Sequence, residues 1–298
     1  MSEPQPIFFI GAPRSGTTIT FEQFASHPDL AWISNYSRAF PNFQPINLVR
    51  RVFDNPLFQI RGKKNQFGDA PFLNKYLPRP DESYEFWNTH GCVDFDLNYL
   101  LGETASEKER NALRNSLAKL QRYQGKSRVT AKLTGPGRIG YLNSVWPEMR
   151  VVHVIRNGLD VVRSLLNVPF WEKGGGFERP WWKGGLNPEE LARWEDSGKD
   201  PAALAALQWR TIIERTREEA HELLGDRYVE LRYESFLEDS KDQLESIYDS
   251  VGLDVELSEL EVLEARNKNY GDNWNSEERR VLQSWMDPVF TDLGYGER

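Results

Sequence analysis

A glycine-punctuated loop follows the first apolar segment of the chain. The run of residues 7–10 is apolar and aromatic, and the residues after it are Gly11-Ala12-Pro13-Arg14-Ser15-Gly16-Thr17-Thr18. A helical spacing of apolar residues comes next, which indicates a strand, a loop and a helix in succession. In such an arrangement the loop N–H groups converge on an anion, and the helix N-terminus adds roughly half a positive charge. The sequence therefore predicts an anion-binding site, the anion loop, at residues 11–18.

The anion loop differs from the loop of nucleoside triphosphatases at one position. That motif has a lysine directly after its second glycine, whereas here Gly16 is followed by Thr17 and the cation, Arg14, lies inside the loop. Without the lysine, the group that reaches a terminal phosphate is missing. We therefore expect the loop to hold an anion other than a Mg²⁺-bound nucleoside triphosphate.

A second predicted strand-to-helix transition carries an arginine and a serine. The apolar run that starts at residue 150 ends in Arg156, and Ser164 follows eight residues later within a helical pattern. Arg156 at the strand end and Ser164 two turns into the helix can face one pocket. A guanidinium and a hydroxyl together suit a phosphate monoester, so this transition is a second candidate anion site.

Together the two segments resemble the sulfotransferases that use 3′-phosphoadenosine-5′-phosphosulfate (PAPS). The anion loop is similar to that family's 5′-phosphosulfate loop in its Pro-Arg-Ser-Gly-Thr-Thr form, and Arg156 with Ser164 is similar to its 3′-phosphate motif. The resemblance implies PAPS as co-substrate, adenosine 3′,5′-bisphosphate (PAP) as product, and no metal. The alternative is an unrelated α/β protein with a glycine-rich turn and a surface Arg–Ser pair.

Two later segments extend the resemblance. The pattern that ends in Tyr233 and Glu234 is similar to a late strand of the family whose tyrosine lies near the adenine, although an ordinary strand would show the same alternation. Residues 266–274 are similar to a C-terminal segment that closes over the 3′-phosphate, with one extra residue before the Trp and without the Lys-Gly pair. The resemblance thus assigns Tyr233 and Arg266 to the nucleotide site, with Lys268 as a candidate substitute for the missing lysine.

The resemblance also implies how the residues of the anion loop act. Arg14 stabilises the charge that builds on the bridging oxygen and the 5′-phosphate. The phosphosulfate is held by the amides and hydroxyls of Ser15, Gly16, Thr17 and Thr18. As in phosphoryl transfer, catalysis would consist mainly of positioning and charge stabilisation. The four histidines show no spacing typical of metal ligands.

A general base must take the proton of the acceptor. The resemblance implies two positions for this base, and neither position holds a suitable side chain. Cytosolic members of the family have a Lys-Thr-His motif, and here Lys132 matches the lysine while Thr134 stands in place of the histidine. Tyrosylprotein-type members have a glutamate after a His-Pro-Asp turn, and here no carboxylate follows that turn up to Asn35. We expect Lys132 to contact the transferred sulfuryl group, unless it is a solvated lysine at a strand end.

Three candidates for the base lie between residues 79 and 90. This stretch is similar to an Arg-Pro-x-Glu-x-Tyr-x-x-Trp segment of some bacterial sulfotransferases, and it offers Glu82, Glu85 and His90. Helical spacing would place Glu82 and Glu85 near one face. The alternative is an acidic helix start after Pro80, because carboxylates favour the first turn of a helix.

The elements that must position these residues alternate between strands and helices. This order predicts an α/β fold, a P-loop-like central parallel sheet flanked by helices on both faces, which is the sulfotransferase fold that the resemblance implies. We expect one domain over residues 1–298, with insertions at about 36–100 and 168–200 that wall the acceptor site. The predicted strands cover residues 6–12, 30–34, 128–133, 150–156 and 227–233. The first predicted helix follows the anion loop and ends near residue 26. The other predicted helices cover residues 107–124, 158–168, 201–225, 235–252, 256–266 and 276–285.

The second insertion is rich in glycine and tryptophan. Glycines permit movement and tryptophans offer large flat surfaces, so the segment suits a mobile lid or a surface that stacks on a ring or sugar. The alternative is a loop that its aromatic side chains merely pin to the core.

Composition excludes several classes of protein. The chain has 298 residues, 39% of them hydrophobic, which is enough for one substantial core. A formal net charge of −8 disfavours a generic nucleic-acid binder. The single cysteine, the absence of a long apolar run and an N-terminus unlike a secretory signal predict a bacterial, cytoplasmic protein without a membrane span.

We therefore expect a PAPS-dependent sulfotransferase that moves the sulfuryl group, by in-line transfer, to a hydroxyl or amine of a small-molecule, lipid or glycan acceptor. A nucleotide-dependent phosphotransferase is one alternative, against which Thr17 argues. A non-catalytic module that binds PAPS or PAP is another, which the empty base positions at Asn35 and Thr134 leave open. The acceptor, the base and the oligomeric state are not decided by the sequence.

Overall fold

Five parallel strands form the central sheet of the protein in a computed structural model that describes residues 5–54, 76–254 and 274–296. Their order across the sheet is β2-β3-β1-β4-β5, and every pairing is parallel. The strands are β1 (Ile7–Gly11), β2 (Leu30–Trp32), β3 (Arg128–Thr134), β4 (Arg150–Ile155) and β5 (Tyr228–Arg232).

Helices cover both faces of the sheet, as predicted. In the described residues they are α1 (Thr17–Phe24), α2 (Asn35–Ala39), α3 (Leu48–Phe53), α4 (Tyr84–His90), α5 (Glu107–Gln124), α6 (Ile139–Val145), α7 (Gly158–Leu165), α8 (Pro169–Lys173), α9 (Pro188–Asp196), α10 (Pro201–Leu223), α11 (Tyr233–Glu238), α12 (Ser240–Val251), α13 (Ser276–Met286) and α14 (Val289–Asp292). Short 3-10 helices lie at Gln44–Asn47, Phe95–Leu97 and Gly225–Arg227.

The central strand β1 is fully buried, which explains its continuous apolar sequence. Because successive side chains of a strand point to opposite faces, Phe8 and Ile10 pack in one apolar cluster with α4, α5 and α6. Ile7 and Phe9 pack in another cluster with α1 and α12. A third cluster joins α7, α10 and α13.

Helix α5 has the bounds that the sequence predicted, and local signals account for both of its ends. Helix α5 begins after Ser106, whose hydroxyl and the Glu109 carboxylate form a capping box, and it ends at Gly125 with a φ of 69°. These are strong start and stop signals in the sequence itself, so the prediction of residues 107–124 needed no tertiary information.

One predicted helix differs from the structure, and some helices of the structure were not predicted. The helix predicted over residues 235–252 is two helices, α11 and α12, which meet at Asp239. The Asp239 carboxylate accepts a hydrogen bond from the N–H of Asp242 (3.1 Å) and so caps the second helix. Helix α6 was not predicted, and it is only seven residues long. The helix predicted over 256–266 lies outside the described residues.

The parallel register brings the carboxyl ends of three strands to one edge of the sheet. Gly11 at the end of β1 is paired with Thr134 at the end of β3, and Ile10 is paired with His153 in β4. The segments that follow β1, β3 and β4 therefore meet at this edge, which is where open α/β sheets bind ligands.

Candidate active site

The anion loop joins β1 to α1 in a conformation that requires a residue without a side chain at Gly16. Gly16 has a φ of 84°, and a Cβ atom there would lie 2.2 Å from the ring of Tyr233. Arg14 also has a positive φ of 70°. The turn is closed by a hydrogen bond from the Ser15 N–H to the Ala12 carbonyl oxygen (3.2 Å). Helix α1 begins without a side-chain cap, so its first N–H groups are left for a ligand.

One polar atom of the loop is buried without a hydrogen bond. The Ser15 hydroxyl oxygen has no partner in the described part of the chain, and the residue is 1% exposed. A buried hydroxyl in this state is uncommon and calls for a physical explanation. A bound oxyanion would supply the missing partner, so the loop fits the group that its sequence predicts.

Arg14 connects the two predicted anion sites. Its Nε donates a hydrogen bond to the hydroxyl oxygen of Ser164 (2.9 Å), on α7. Its carbonyl oxygen accepts a hydrogen bond from an Arg156 guanidinium nitrogen (3.2 Å). The residues that the sequence singled out in separate segments therefore form one contiguous site.

Arg156 is held from three directions. Its guanidinium contacts the Asp160 carboxylate at 3.4 Å, one helical turn further on, and lies 5.0 Å from the centre of the Tyr233 ring. The third contact is the Arg14 carbonyl oxygen described above. Tyr233 thus lies between the anion loop at Gly16 and the Arg156 side chain.

A row of hydrogen-bonding groups runs from the anion loop to Glu82. The Lys132 ammonium group donates to the Thr18 hydroxyl oxygen (2.9 Å) and contacts a Glu82 carboxylate oxygen at 3.1 Å. The Thr134 hydroxyl donates to the same Glu82 oxygen. Ala131 and Leu133 pack in the cluster with α5 and α6, so the strand pleat points Lys132 toward α1.

Glu82 reaches this row because it precedes α4 and is not part of it. Ser83, the residue before the helix, has a φ of 49°. The prediction that Glu82 and Glu85 lie near one helical face is therefore wrong, because Glu82 is outside the helix. The Glu82 carbonyl oxygen accepts a hydrogen bond from the Trp87 indole (3.0 Å). The hydroxyl of Tyr84 donates to the Thr134 carbonyl oxygen (2.5 Å) and accepts from its N–H (3.0 Å), which ties the segment to the end of β3.

Asn35, one of the two positions where the resemblance implied a base, supports the Glu82 segment. Its amide nitrogen donates to the Leu77 carbonyl oxygen (3.2 Å), and its amide oxygen accepts from the Arg79 N–H (2.9 Å). The N–H of Asp81 donates to the Ile33 carbonyl oxygen (3.0 Å). The chain that leads to Glu82 is therefore fixed beside the end of β2.

The other two base candidates lie away from this row. Glu85 is exposed and does not line the cavity that is described below. His90 has its Nε2 at 2.9 Å from the Pro41 carbonyl oxygen and its ring against Phe86, and burial lowers the pKa of its imidazole. Of the three candidates, the structure brings Glu82 alone to Lys132 and the anion loop.

A cavity of about 410 Å³ opens beside the anion loop. Parts of both predicted insertions line it, together with loop residues Pro13, Arg14, Thr17 and Thr18. The first insertion contributes Glu82, Tyr84, Asp96 and Leu97, and the second contributes Phe170, Trp171, Trp181 and Trp182.

The aromatic segment, residues 168–185, is attached to the rest of the protein by backbone hydrogen bonds. The Lys183 N–H donates to the Leu97 carbonyl oxygen (2.8 Å), and the Tyr99 N–H donates to the Lys183 carbonyl oxygen (3.0 Å). The Trp181 N–H donates to the Gln208 side-chain oxygen (2.7 Å). Trp171 and Trp182 are buried, so in this conformation the aromatic segment is held against the core and forms a wall of the cavity.

Two side chains at the cavity were not predicted from the sequence. Tyr84 belongs to the Arg-Pro-x-Glu-x-Tyr pattern and could have been found there. Burial raises the pKa of its hydroxyl. The Asp96 carboxylate accepts a hydrogen bond from the Asn88 amide (2.9 Å). No sequence motif around Asp96 marks it as a residue of the site. Arg266 and Lys268 lie outside the described residues, but Trp274 donates its indole N–H to the Leu159 carbonyl oxygen on α7 (3.1 Å).

Within the ranges that the structure describes, His, Cys, Asp and Glu side chains form no group of three that could hold a metal ion. His153, in β4, is instead bonded through Nδ1 to the Tyr228 hydroxyl (2.7 Å). In the same ranges, no helix combines the length and the apolar character needed to cross a membrane.

Comparison with solved structures shows a shared fold at low sequence identity. Sulfotransferase STF9 from Mycobacterium avium matches with 17% identity and a TM-score of 0.59, over 98% of this chain and 77% of that one. Sulfotransferase STF1 from Mycobacterium tuberculosis matches with 14% identity and a TM-score of 0.53, over 96% and 77% of the two chains. No curated protein sequence matches the chain.

The sequence profile of the sulfotransferase family matches residues 6–257. This range contains the anion loop, the Glu82 segment, Lys132 and the Arg156–Ser164 pair. The parallel sheet and its helices agree with the fold of the bacterial sulfotransferases named above. The chain therefore belongs to the sulfotransferase family.

Proposed function

We propose that this sulfotransferase takes the sulfuryl group from PAPS, transfers it to a hydroxyl, or an amine, of a small-molecule, lipid or glycan acceptor, and releases PAP. The observation that carries the proposal is the row formed by Thr18, Lys132 and Glu82 between the anion loop and the cavity. In this row the anion loop, a cation and a carboxylate lie side by side at the cavity, which supports a transfer from a bound anion to an acceptor.

The nucleotide would lie across the carboxyl edge of the sheet. The N–H groups of the anion loop would hold the phosphosulfate together with the Ser15 hydroxyl, which has no partner among the described residues. Arg156 and Ser164 would hold the 3′-phosphate, and Tyr233 would lie beside the adenine. Arg266 and Lys268 stay predictions for the same site.

The chemistry of the transfer can be assigned to four side chains. Glu82 would accept the proton of the acceptor as the acceptor oxygen or nitrogen forms its bond to sulfur. The bond between sulfur and the bridging oxygen breaks, and its electron pair passes to the 5′-phosphate, where Arg14 would stabilise the charge. Lys132 and Thr18, which are already hydrogen-bonded, would contact the sulfuryl oxygens. The acceptor would be held in the cavity, which both insertions would wall.

Calorimetric titration of the whole protein with PAP, and with adenosine 5′-monophosphate (AMP) as control, tests the nucleotide part of the proposal. We expect micromolar binding of PAP, weaker binding of AMP, and loss of this preference in Arg156→Ala, because the variant removes the charge that faces the 3′-phosphate. Equal binding of PAP and AMP by the unmodified protein would overturn the assignment of Arg156 and Ser164.

Turnover tests the catalytic part. PAPS consumption in the presence of hydroxyl and amine acceptors, abolished in Arg14→Ala, is the expected result. PAP binding without turnover of any acceptor would favour a non-catalytic module, and Mg²⁺-dependent hydrolysis of a nucleoside triphosphate would favour a phosphotransferase. A bacterial source and a cytoplasmic location stay predictions from the sequence.

A further inference from the structure

The peptide group between Arg156 and Asn157 is held at both of its polar atoms. Its carbonyl oxygen accepts a hydrogen bond from the Trp209 indole on α10 (3.1 Å). Its N–H donates to one carboxylate oxygen of Glu234 on α11 (2.8 Å). Since a peptide group is planar, holding both atoms fixes the orientation of the whole plane, and rotation would break both hydrogen bonds.

The C-terminal segment, residues 274–296, supports both of these contacts. The Tyr295 hydroxyl donates to the second carboxylate oxygen of Glu234 (3.0 Å). The Phe290 ring packs edge-on against Trp209 (6.0 Å between centres) and also contacts Tyr295 (5.6 Å). The two groups that hold the peptide are therefore themselves held by the end of the chain.

Glu234 is placed in a way that burial of apolar surface does not explain. Both of its oxygens accept hydrogen bonds from neutral donors, the Asn157 N–H and the Tyr295 hydroxyl, and in the described ranges it forms no ion pair. A carboxylate repels an anion that binds nearby, and this cost is offset if the carboxylate orients the groups that hold the anion. Asn157 is the N-cap residue of α7, so Glu234 also lies at the favourable end of that helix.

Glu234 and its neighbour act on the same arginine. The Tyr233 ring contacts the Arg156 guanidinium (5.0 Å), while Glu234 holds the backbone that carries Arg156 into α7. Helix α7 in turn carries Ser164. The direction of the Arg156 side chain relative to Ser164 thus depends on the plane of the peptide group that follows it.

We propose that Glu234 and Tyr295 are positioning residues for the 3′-phosphate site, and that the C-terminal segment is in this way a functional part of the nucleotide site. Their contacts set the Arg156–Asn157 peptide, and the peptide sets the geometry of Arg156 and Ser164. This inference rests on the proposed function, which assigns the 3′-phosphate to those two residues.

The measured quantity is the ratio of the AMP dissociation constant to the PAP dissociation constant, which isolates the contribution of the 3′-phosphate. Titration of the whole protein with both nucleotides should show this ratio reduced by about three- to tenfold in Tyr295→Phe, as expected for the loss of one hydrogen bond to a charged group. Glu234→Ala should reduce it further. Glu234→Gln keeps an acceptor for the Asn157 N–H and should restore part of the ratio.

Tyr248→Phe is a matched control. Its hydroxyl likewise donates a hydrogen bond to a distant part of the chain, the Phe24 carbonyl oxygen (3.0 Å), but it lies on α12 and not in the C-terminal segment. This variant should lose stability without a change in the ratio. A reduction as large as that in Tyr295→Phe would mean a general loosening and would overturn the inference.

The remaining outcomes separate this inference from the function on which it rests. A normal ratio in Tyr295→Phe, or in a folded Glu234→Ala protein, overturns the positioning role and leaves the sulfotransferase proposal intact. An unmodified protein without preference for PAP overturns the assignment of the 3′-phosphate and this inference with it. If Glu234→Ala does not fold, Tyr295→Phe and Tyr248→Phe decide.

Discussion

Glu82 and Glu85 are close in sequence but lie in different surroundings. The Glu82 carboxylate is bonded to Lys132 and Thr134 at the cavity, whereas Glu85 is exposed on α4. The carboxylates are chemically the same, so any difference in their effect on turnover must come from position. This pair therefore offers a sharp test of which residue is the base.

We expect Glu82→Gln to lower kcat by about 10²- to 10⁴-fold, because the variant lacks the general base that takes the proton from the sulfuryl acceptor. The dissociation constant of PAP should change little, since Glu82 does not lie in the nucleotide site. Steady-state turnover of PAPS gives kcat, and Glu85→Gln is the control that should retain it. A Glu82→Gln enzyme with normal kcat would exclude Glu82 as the base.

Among the elements, β4 and β5 share a buried polar contact, for which we expect a dependence on pH. His153 in β4 is fully buried, its Nδ1 contacts the Tyr228 hydroxyl (2.7 Å), and that hydroxyl donates to Glu230 (2.9 Å). Burial lowers the pKa of His153 to about 4. In the unfolded chain its pKa would be about 6.5.

Between these two pKa values the unfolded chain binds a proton that the folded protein does not. Stability should therefore fall as the pH falls from about 6.5 toward 4, and His153 alone should account for about 2 kcal/mol between pH 7.5 and pH 5. Urea unfolding at the two pH values measures the difference. In His153→Gln the pH dependence should shrink by that amount, although the variant is less stable overall. An unchanged pH dependence would show that His153 is not the group responsible.

The aromatic segment lines the cavity that we propose as the acceptor site, and one of its side chains can be tested without disturbing the core. Phe170 is 49% exposed and lines the cavity, whereas Phe43 is 57% exposed and does not line it. We expect Phe170→Ala to raise KM for the acceptor by about three- to tenfold through lost apolar contact, with little change in Tm. Phe43→Ala should leave KM unchanged. Equal KM values in the two variants would mean that the acceptor does not contact Phe170.

For the molecule as a whole, the proposed nucleotide site joins elements that belong to different apolar clusters. Helix α1 packs in the apolar cluster that contains Ile7, Phe9 and α12, whereas α7 packs in the cluster with α10 and α13. Arg14 and Ser164, 150 residues apart in sequence, form the contact between α7 and the loop before α1. A ligand that bridges these elements should stabilise the entire fold.

We expect PAP at about one hundred times its dissociation constant to stabilise the folded protein by about 2.7 kcal/mol, which corresponds to a rise of several degrees in Tm. Thermal unfolding with and without PAP measures the shift. AMP at the same concentration should give a smaller rise, and Arg156→Ala should show almost none with PAP. A shift in Arg156→Ala equal to that of the unmodified protein would place the nucleotide elsewhere.

The sequence predicted the elements whose signals are local. Strand β1 and the anion loop follow from an apolar run that ends in glycines, and α5 follows from its capping box and terminal glycine. The split between α11 and α12 was missed, because one Asp that can cap a helix within a longer apolar periodicity is a weak signal. The resemblance to sulfotransferases rested on the same local segments, and the family match confirms it.

By itself, then, the sequence determined the five strands, several of the longer helices and the family. Only the tertiary structure decided which carboxylate meets Lys132, because the left-handed backbone at Ser83 keeps Glu82 out of α4, and the hydrogen bonds of Asn35 and Tyr84 bring that residue to β3. It likewise decided that Arg14 contacts Ser164 and that Tyr295 supports Glu234. Each of these contacts joins residues far apart in sequence, and periodicity and capping act only over a few residues, so they carry no information about such contacts.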